Sequence, residues 1–435
     1  MRADLLLDSA RFVLVCDEQA TALPDTSVAI ADGRIVAMGP ATELRDAIEA
    51  DRVIDARGHL ILPGLVNLHT HLPMTLLRGV AENVDLQGFL SLVWAEEARV
   101  MDPEGVELGA RLGAVEALLG GTTTALDMYF HPEAAHRGAV SAGLRHVIGP
   151  VFFSFPGPDG LSWEQRMEIA RAWPEVVRRI GGPYVPVAYM PHAPFTVDIE
   201  NLSQIAELAR ETEGIITTHT SENESENRDT LESRGMRPTA CLDVSGVLSL
   251  QPVLAHGVRL DADDRRVISA AGASVAHCPG SNLKLASGAA DIVGYRSDGI
   301  RVGLGTDGCS SSNDLDMFAV MRLAANLARL VRDDPAAISA ADVVRMATLE
   351  GARSLGLGDR LGSVEVGKEA DLVLIDARVP HLTPLHDPYT AVVFAAGRSD
   401  VRHVLVAGQV VVDDRRVMRV DVDAILAAAQ ARVGS

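Results

Sequence analysis

Lysine is almost absent from this chain of 435 residues, where Lys284 and Lys368 are the only two. Lys and Arg together number 39 against 59 Asp and Glu, the formal net charge is −20, and no Lys/Arg-rich run occurs. Without a basic stripe there is no footprint for a phosphate backbone, so nucleic acid is excluded as a partner. Cysteine is also sparse. Cys16, Cys241, Cys278 and Cys309 stand far apart with no C-x-x-C, which argues against a disulfide scaffold and for small core-filling thiols kept reduced in the cytoplasm. No stretch of 18 uncharged apolar residues offers a membrane span. The N-terminus carries acids at Asp4 and Asp8 and lacks the basic start and apolar core of a signal peptide.

What is present is ordinary globular composition, with 47% hydrophobic and 23% charged residues, 38 Gly and 21 Pro. The length exceeds what one core usually supports, so a main domain with a smaller companion is expected. Residues 4 to 60 contain period-2 segments such as Thr26-Ser-Val-Ala-Ile-Ala and Arg34-Ile-Val-Ala-Met, separated by the turn signals Asp32-Gly33 and Gly39-Pro40. Residues 365 to 420 read alike, through Asp371-Leu-Val-Leu-Ile-Asp and Val404-Leu-Val-Ala-Gly-Gln-Val-Val-Val. We therefore expect one small β-sandwich domain built from both ends, residues 1–60 and 365–435.

Residues 61–364 alternate short apolar runs with amphipathic helical stretches, such as Pro103 to Leu119 and Ile199 to Glu211. That alternation argues for βα units and a parallel sheet. Strands are expected near 61–69, 122–128, 146–153, 185–191, 214–219, 252–256, 273–277 and 301–306. Eight such units fit an α/β fold of the (β/α)8 TIM-barrel type. An open doubly wound sheet is the rival, but no glycine-rich dinucleotide fingerprint follows the first strand.

Several of these strands end in residues that bind metals or move protons, at the rim where barrel active sites lie. The first ends His69-Thr-His71, and residues two apart on a strand face the same way. The fifth ends His219-Thr-Ser-Glu222, the sixth Leu254-Ala-His256 and the eighth Gly303-Leu-Gly-Thr-Asp307-Gly. Three neutral imidazoles and one carboxylate suit Zn²⁺, leaving Glu222 and His256 as proton-transfer groups. His59, His136, His146, His381, His386 and His403 lie away from the rim and read as surface or packing residues, while His131 and His277 are closer cases. Glu82 follows Arg78 by four residues and reads as its pairing partner, and Cys309 reads as structural filling.

Together, Leu-Pro-Gly-Leu-Val-Asn-Leu-His-Thr-His, His219-x-x-Glu222, His256 and Gly-Thr-Asp307-Gly resemble the amidohydrolase superfamily. Within it, His71-Leu-Pro-Met-Thr-Leu-Leu-Arg-Gly-Val-Ala-Glu82, Asp127-Met-Tyr-Phe-His131, Pro191-His192-Ala-Pro, Ser281-Asn-Leu-Lys-Leu and Asp307-Gly-Cys-Ser-Ser-Ser-Asn313 resemble the S-adenosylhomocysteine/5′-methylthioadenosine deaminase group. The similarity spans residues 4 to 420. It implies one Zn²⁺ per chain held by His69, His71, His219 and Asp307, with Glu222, His256 and Asp307 catalytic. His192 is then implied to contact the base and Glu97 the ribose hydroxyls. The superfamily's two-metal members use a carbamylated lysine on the fourth strand, and neither Lys284 nor Lys368 lies there.

The expected reaction is hydrolytic deamination of an adenosine derivative. Zinc lowers the pKa of water to about 7, Asp307 takes its proton, and a protonated Glu222 neutralises the ring nitrogen as ammonia leaves. Other rings remain open to the same metal site, namely pterin, guanine, triazine or a chlorinated heterocycle, although a Glu222–His256 relay suits amine loss better than chloride loss. A non-catalytic binding module is the remote alternative. The cytidine-deaminase type is disfavoured because its H-x-E and P-C-x-x-C signature is missing. The partner is thus a small heterocyclic substrate, and a homo-oligomer stays open. One departure from the group concerns the substrate's tail. The resemblance implies an arginine for an amino-acid carboxylate about five residues beyond the Gly143-Leu-Arg145 segment, where this chain has Pro150. Arg145 is the remaining candidate cation, so a substrate with a short uncharged tail is expected to be preferred.

Overall fold

The alternating segments at the two ends of the chain become strands of a single sheet. In the computed structural model, which describes residues 1–84 and 86–434, these strands run in the order Arg416–Val417, Gln409–Asp413, Val401–Val406, Leu372–Asp376, His59–Pro63, Arg2–Leu14, Ala22–Ala31 and Arg34–Pro40. Glu49–Asp55 adds to Arg2–Leu14, making nine strands. The two termini meet where Leu374 pairs with Ile61 and Leu372 with Pro63. Ser435, the last residue of the expected terminal unit, lies outside the described residues.

The apolar run from Leu60 to Leu68 carries no periodicity that would divide it, and the chain divides it by geometry. His59–Pro63 belongs to the terminal sheet, and Leu65–His71 begins the next one. Gly64 makes the crossing, its N–H donating to the Asp371 carbonyl at 2.8 Å. A Cβ there would lie 2.0 Å from Thr123 Oγ1, so only glycine fits. The first inner strand therefore covers residues 65–71 rather than 61–69.

The middle of the chain is α/β. One parallel sheet orders Asp307–Gly308, Leu65–His71, Thr122–Asp127 and Arg145–Val147. The other orders Arg301–Leu304, Ser274–His277, Val253–His256, Ile215–Thr220, Ala188–Pro191 and Val151–Phe152. Two expected strands are thus interrupted: 146–153 becomes Arg145–Val147 and Val151–Phe152, and 301–306 becomes Arg301–Leu304 with Asp307–Gly308 beyond it. Helices join the strands as the amphipathic stretches foretell. Pro103–Leu119 starts with Pro103 at its first position and Asp102 accepting from Gly105 N at 2.8 Å. Ile199–Glu211 follows Asp198 and buries Leu202, Ile205 and Ala209.

One helix was not expected. Leu86–Val100 lies between the first inner strand and the Pro103–Leu119 helix. Its Leu86, Phe89, Leu90, Val93, Trp94 and Glu97 recur at helical spacing and all line one cavity. Among the described residues, no helix is long and apolar enough to cross a membrane.

Candidate metal centre and its cavity

Each residue singled out from a strand end arrives at one place because the strands run parallel and finish on the same side. Leu65–His71 delivers His69 and His71, with ring centroids 4.9 Å apart. Ile215–Thr220 brings His219 within 4.8 Å of His69, and Val253–His256 brings His256 within 5.3 Å of it. Asp307 Oδ1 lies 3.1 Å from His71 Nε2 and 3.5 Å from His69 Nε2. Donor atoms of His69, His71 and His219 all lie within 4.8 Å of one another, and the same holds for His69, His256 and Asp307. His256 and Asp307 adopt φ of +70° and +59°, a region sparsely populated by residues other than glycine. Gly308 lets this close approach happen, since a Cβ on it would meet Met74 Sδ at 2.5 Å.

Hydrogen bonds behind the rings fix which nitrogen faces inward. His71 Nδ1 meets the Met128 carbonyl at 2.6 Å and His219 Nδ1 the His192 carbonyl at 2.7 Å. Because a carbonyl only accepts, each Nδ1 carries the proton and each Nε2 presents a lone pair to the centre. His256 Nδ1 likewise donates to Asn282 Oδ1 at 2.9 Å. Ser311 Oγ donates to Asp307 Oδ2 at 2.7 Å. Behind the first strand, Asp127 accepts from Leu72 N at 3.0 Å and pairs with His146 Nε2 at 2.9 Å, and His146 meets His136 at 3.2 Å. These two histidines are packing residues, but they brace the chain just after His71.

The charge states suit a cation. Burial pushes His69 down to about 4 and His219 well below the ordinary imidazole range, so both rings are neutral and free to donate a lone pair. Burial opposes charge on His71 as well, yet the adjoining Asp307 outweighs it and raises the ring to about 9. Burial likewise opposes ionisation of Asp307, but His69 and His71 hold it well below the carboxylate range. That shared proton and a divalent ion compete for the same lone pairs. Both ring nitrogens of His69 are buried without a hydrogen-bond partner, as are those of His277, but of the two only His69 stands in a cluster of side chains that could hold a metal ion. The donor set of nitrogen and oxygen therefore fits Zn²⁺.

Beside the centre, burial raises the pKa of Glu222, whose Oε2 lies 3.8 Å from His256 Nε2. Burial also opposes charge on His256, where Glu222 and Asp307 prevail and raise it. His192 stacks on Phe153 with centroids 4.7 Å apart, bonds Thr196 Oγ1 at 2.9 Å, and is pushed down to about 3 by burial. Glu97 is buried, accepts from Tyr129 OH at 2.7 Å, and is pushed up to about 7 by burial.

All four groups, with His71, His219 and Asp307, line one cavity. Its other walls are Met74, Leu86, Phe89, Leu90, Val93, Trp94, Met128, Tyr129, Phe130, Val151, Phe153, Phe195 and Leu285. The aromatic walls were missed from sequence. A signal existed, because a chain with only 9 Phe, 5 Tyr and 3 Trp places six of them on this cavity.

Other candidates fall elsewhere. Cys309 and His277 are buried away from the cavity lining, and His131 caps the Pro132–Ala142 helix. Glu82 does not pair with Arg78: Lys284 Nζ holds it at 2.8 Å, while Arg78 turns to Glu116. Arg145 does not reach inward either. It is fully buried against Glu369 at 2.6 Å and Asp371 at 3.0 Å. Among the described residues lining the cavity, none is Arg or Lys.

Comparison with known proteins agrees with this geometry. Residues 60–411 match the amidohydrolase family, and the chain belongs to it. It is a metal-dependent aminohydrolase in kind, as its relatives are named. A 5-methylthioadenosine/S-adenosylhomocysteine deaminase of Syntrophobacter fumaroxidans is 39% identical over 98% of this chain and 96% of its own. An adenosine deaminase from Xanthomonas campestris, solved with bound zinc, superposes with a TM-score of 0.95 at 37% identity, covering 99% of this chain and 98% of the other. The atrazine chlorohydrolase of Arthrobacter aurescens, complexed with zinc, reaches 0.91 at 26% identity over 99% and 100%.

Proposed function

We propose that this protein hydrolyses the exocyclic amine of an adenosine derivative with a short uncharged 5′ substituent, such as adenosine, 5′-deoxyadenosine or 5′-methylthioadenosine. The observation that carries the reading is the meeting of three inward-facing imidazoles and Asp307 with two proton-transfer groups on the floor of an aromatic cavity. His69, His71, His219 and Asp307 hold one Zn²⁺. When bound, the ion supplies the positive charge that makes water nucleophilic near neutral pH.

The chain's own groups do the rest. Asp307 takes the proton of the attacking water, which His256 Nε2 orients by a hydrogen bond. Glu222, whose pKa burial raises, gives its proton to the ring nitrogen next to the carbon under attack. The C–N bond then breaks, Asp307 returns its proton to the departing amine, the hydroxyl proton of the adduct passes back to Glu222, and ammonia leaves behind a carbonyl. His192 faces the base, Glu97 the ribose hydroxyls, and Trp94 and Phe153 flank them. With Arg145 committed to Glu369 and Asp371, no cation stands ready for an amino-acid carboxylate, so S-adenosylhomocysteine is a poorer substrate.

We also read the two parallel sheets as arcs of one (β/α)8 barrel that begins at Leu65 and runs to about residue 364. In support, residues 145–152 and 301–308 each leave one sheet and enter the other after a short break, and Asp307 pairs with Thr70. The terminal sheet is read as a β-sandwich of residues 1–63 and 365–434, because Val28, Ile30, Leu372, Leu374 and Leu405 share one core.

Ammonia release should be measured from adenosine, 5′-deoxyadenosine, 5′-methylthioadenosine, S-adenosylhomocysteine, guanine, a pterin and an aminotriazine, and chloride release from a chlorotriazine. Turnover of the adenosines is expected. Activity confined to the other rings would refute the substrate class.

A further inference from the structure

A second carboxylate lies behind Glu222 and has no part in the chemistry above. Glu226, in the first turn of the Glu224–Arg234 helix, is buried. Its Oε1 accepts from Ser221 N at 3.0 Å and its Oε2 from Glu222 N at 2.7 Å, so one carboxylate clasps two successive backbone amides. The carboxylate is itself placed by the helix cap, since Asn223 Oδ1 accepts from Glu226 N at 2.8 Å. The turn needs such a clasp. Ser221 has φ of +49°, a left-handed conformation that a serine does not adopt without support. Glu222 has few side-chain anchors of its own: Oε1 has no partner in hydrogen-bond geometry, Oε2 is 3.8 Å from His256, and the Ser287 hydroxyl also acts on the carboxyl.

Carboxylates buried without a cation are costly, and burial pushes Glu226 up to about 7. Its surroundings contain no arginine or lysine partner among the described residues. On this geometry we infer that Glu226 is a positioning residue, which sets the place of the Glu222 carboxyl by locking the Ser221–Glu222 backbone. The inference rests on the reading of Glu222 as proton carrier.

In a Glu226→Gln variant the amide oxygen still accepts one N–H, but the amide nitrogen opposes the other, so the turn loosens with little change in volume. Misplacement by about 1 Å costs up to roughly a hundredfold in rate. With the zinc-loaded enzyme and 5′-methylthioadenosine, Glu226→Gln should lower kcat about 10- to 100-fold while KM and zinc content stay near wild type. Glu222→Gln alone, and Glu222→Gln with Glu226→Gln, should be equally slow, because the clasp acts only through Glu222.

Should the Gln variant fail to fold, Glu226→Asp, one methylene too short to reach both amides, should show the same loss in kcat alone. Wild-type kcat in a folded Glu226 variant, or losses that multiply in the double variant, would overturn the positioning role. A Glu222→Gln enzyme of wild-type rate would overturn the proton-carrier reading and the inference with it. An inactive Glu222→Gln beside a fully active Glu226→Gln would overturn the clasp alone.

Discussion

Replacing Glu97 by Gln should make the protein more stable and less active, with the stability gain confined to neutral and alkaline pH. Glu97 Oε1 accepts from Tyr129 OH at 2.7 Å, but Oε2 is buried without a partner. Burial raises its pKa from 4.5 to about 7. Below pH 4.5 the folded and unfolded states both hold the proton, and Glu97 costs nothing. Between about 4.5 and 7 the unfolded chain releases its proton first, so stability falls as pH rises. Above 7 the cost is complete. A shift of about 2.5 units at about 1.4 kcal/mol each gives about 3–4 kcal/mol. Glutamine cannot ionise and keeps an acceptor for Tyr129, so most of that cost should vanish. At about 2 cal/mol/K per residue of unfolding entropy, the gain corresponds to a rise in Tm of roughly 2–4 °C at pH 8 and close to none at pH 5. The assay is thermal unfolding of both zinc-loaded proteins at the two pH values. If Glu97 also receives the ribose hydroxyls, kcat/KM for adenosine should fall about 10- to 100-fold, as for loss of a charge-assisted hydrogen bond. A difference in Tm independent of pH, or a Gln variant less stable at pH 8, would refute the reasoning.

Three further outcomes are expected. Metal analysis should find one equivalent of divalent ion per chain, and two equivalents with activity proportional to the second would contradict the mononuclear centre. Glu222→Gln should keep that metal and lose most turnover, whereas Asp307→Asn should lose both, and near-normal deamination by the first would show that the proton carrier is another group. In side-by-side kinetics, 5′-methylthioadenosine should exceed S-adenosylhomocysteine in kcat/KM by roughly 10- to 100-fold, and a preference for the latter would sink the argument from Arg145 and Pro150.

The convergence of these histidines and Asp307 was legible in the sequence because strands impose a simple rule. His69 and His71 alternate on one strand, and His219, His256 and Asp307 each stand at the end of an apolar run, so parallel strands bring them together. The supports of the centre were less legible. Glu226 sits in Ser221-Glu222-Asn223-Glu224-Ser225-Glu226, which has the composition of a solvated helix start, and only the left-handed Ser221 turns it inward. The Arg78–Glu82 pairing failed for a related reason. Spacing by four implies contact only in a continuous helix, and the 3₁₀ turn Leu72–Leu77 ends at Arg78 before a left-handed Gly79. The Leu86–Val100 helix could have been read, because Leu86, Phe89, Leu90, Val93 and Trp94 stand at the i, i+3, i+4, i+7 and i+8 positions of an amphipathic helix, and only Glu97 interrupts the stripe one turn later. The division at Gly64 could not be read from hydrophobicity, since both strands beside it are buried on both faces.

The strand that ends at this glycine also bears on how the protein is made. His59–Pro63, all five residues buried in the finished fold, has Arg2–Leu14 on one side and Leu372–Asp376 on the other. Its second neighbour leaves the ribosome roughly 300 residues later, which at about 5–20 residues per second takes about 15–60 s. For that time the nascent chain carries an apolar strand edge with no partner, the kind of edge that pairs with other chains. Synthesis is thus the exposed moment of this molecule. Slowing translation between residues 64 and 371 would lengthen it, whereas the completed chain closes the edge with its own C-terminal strands.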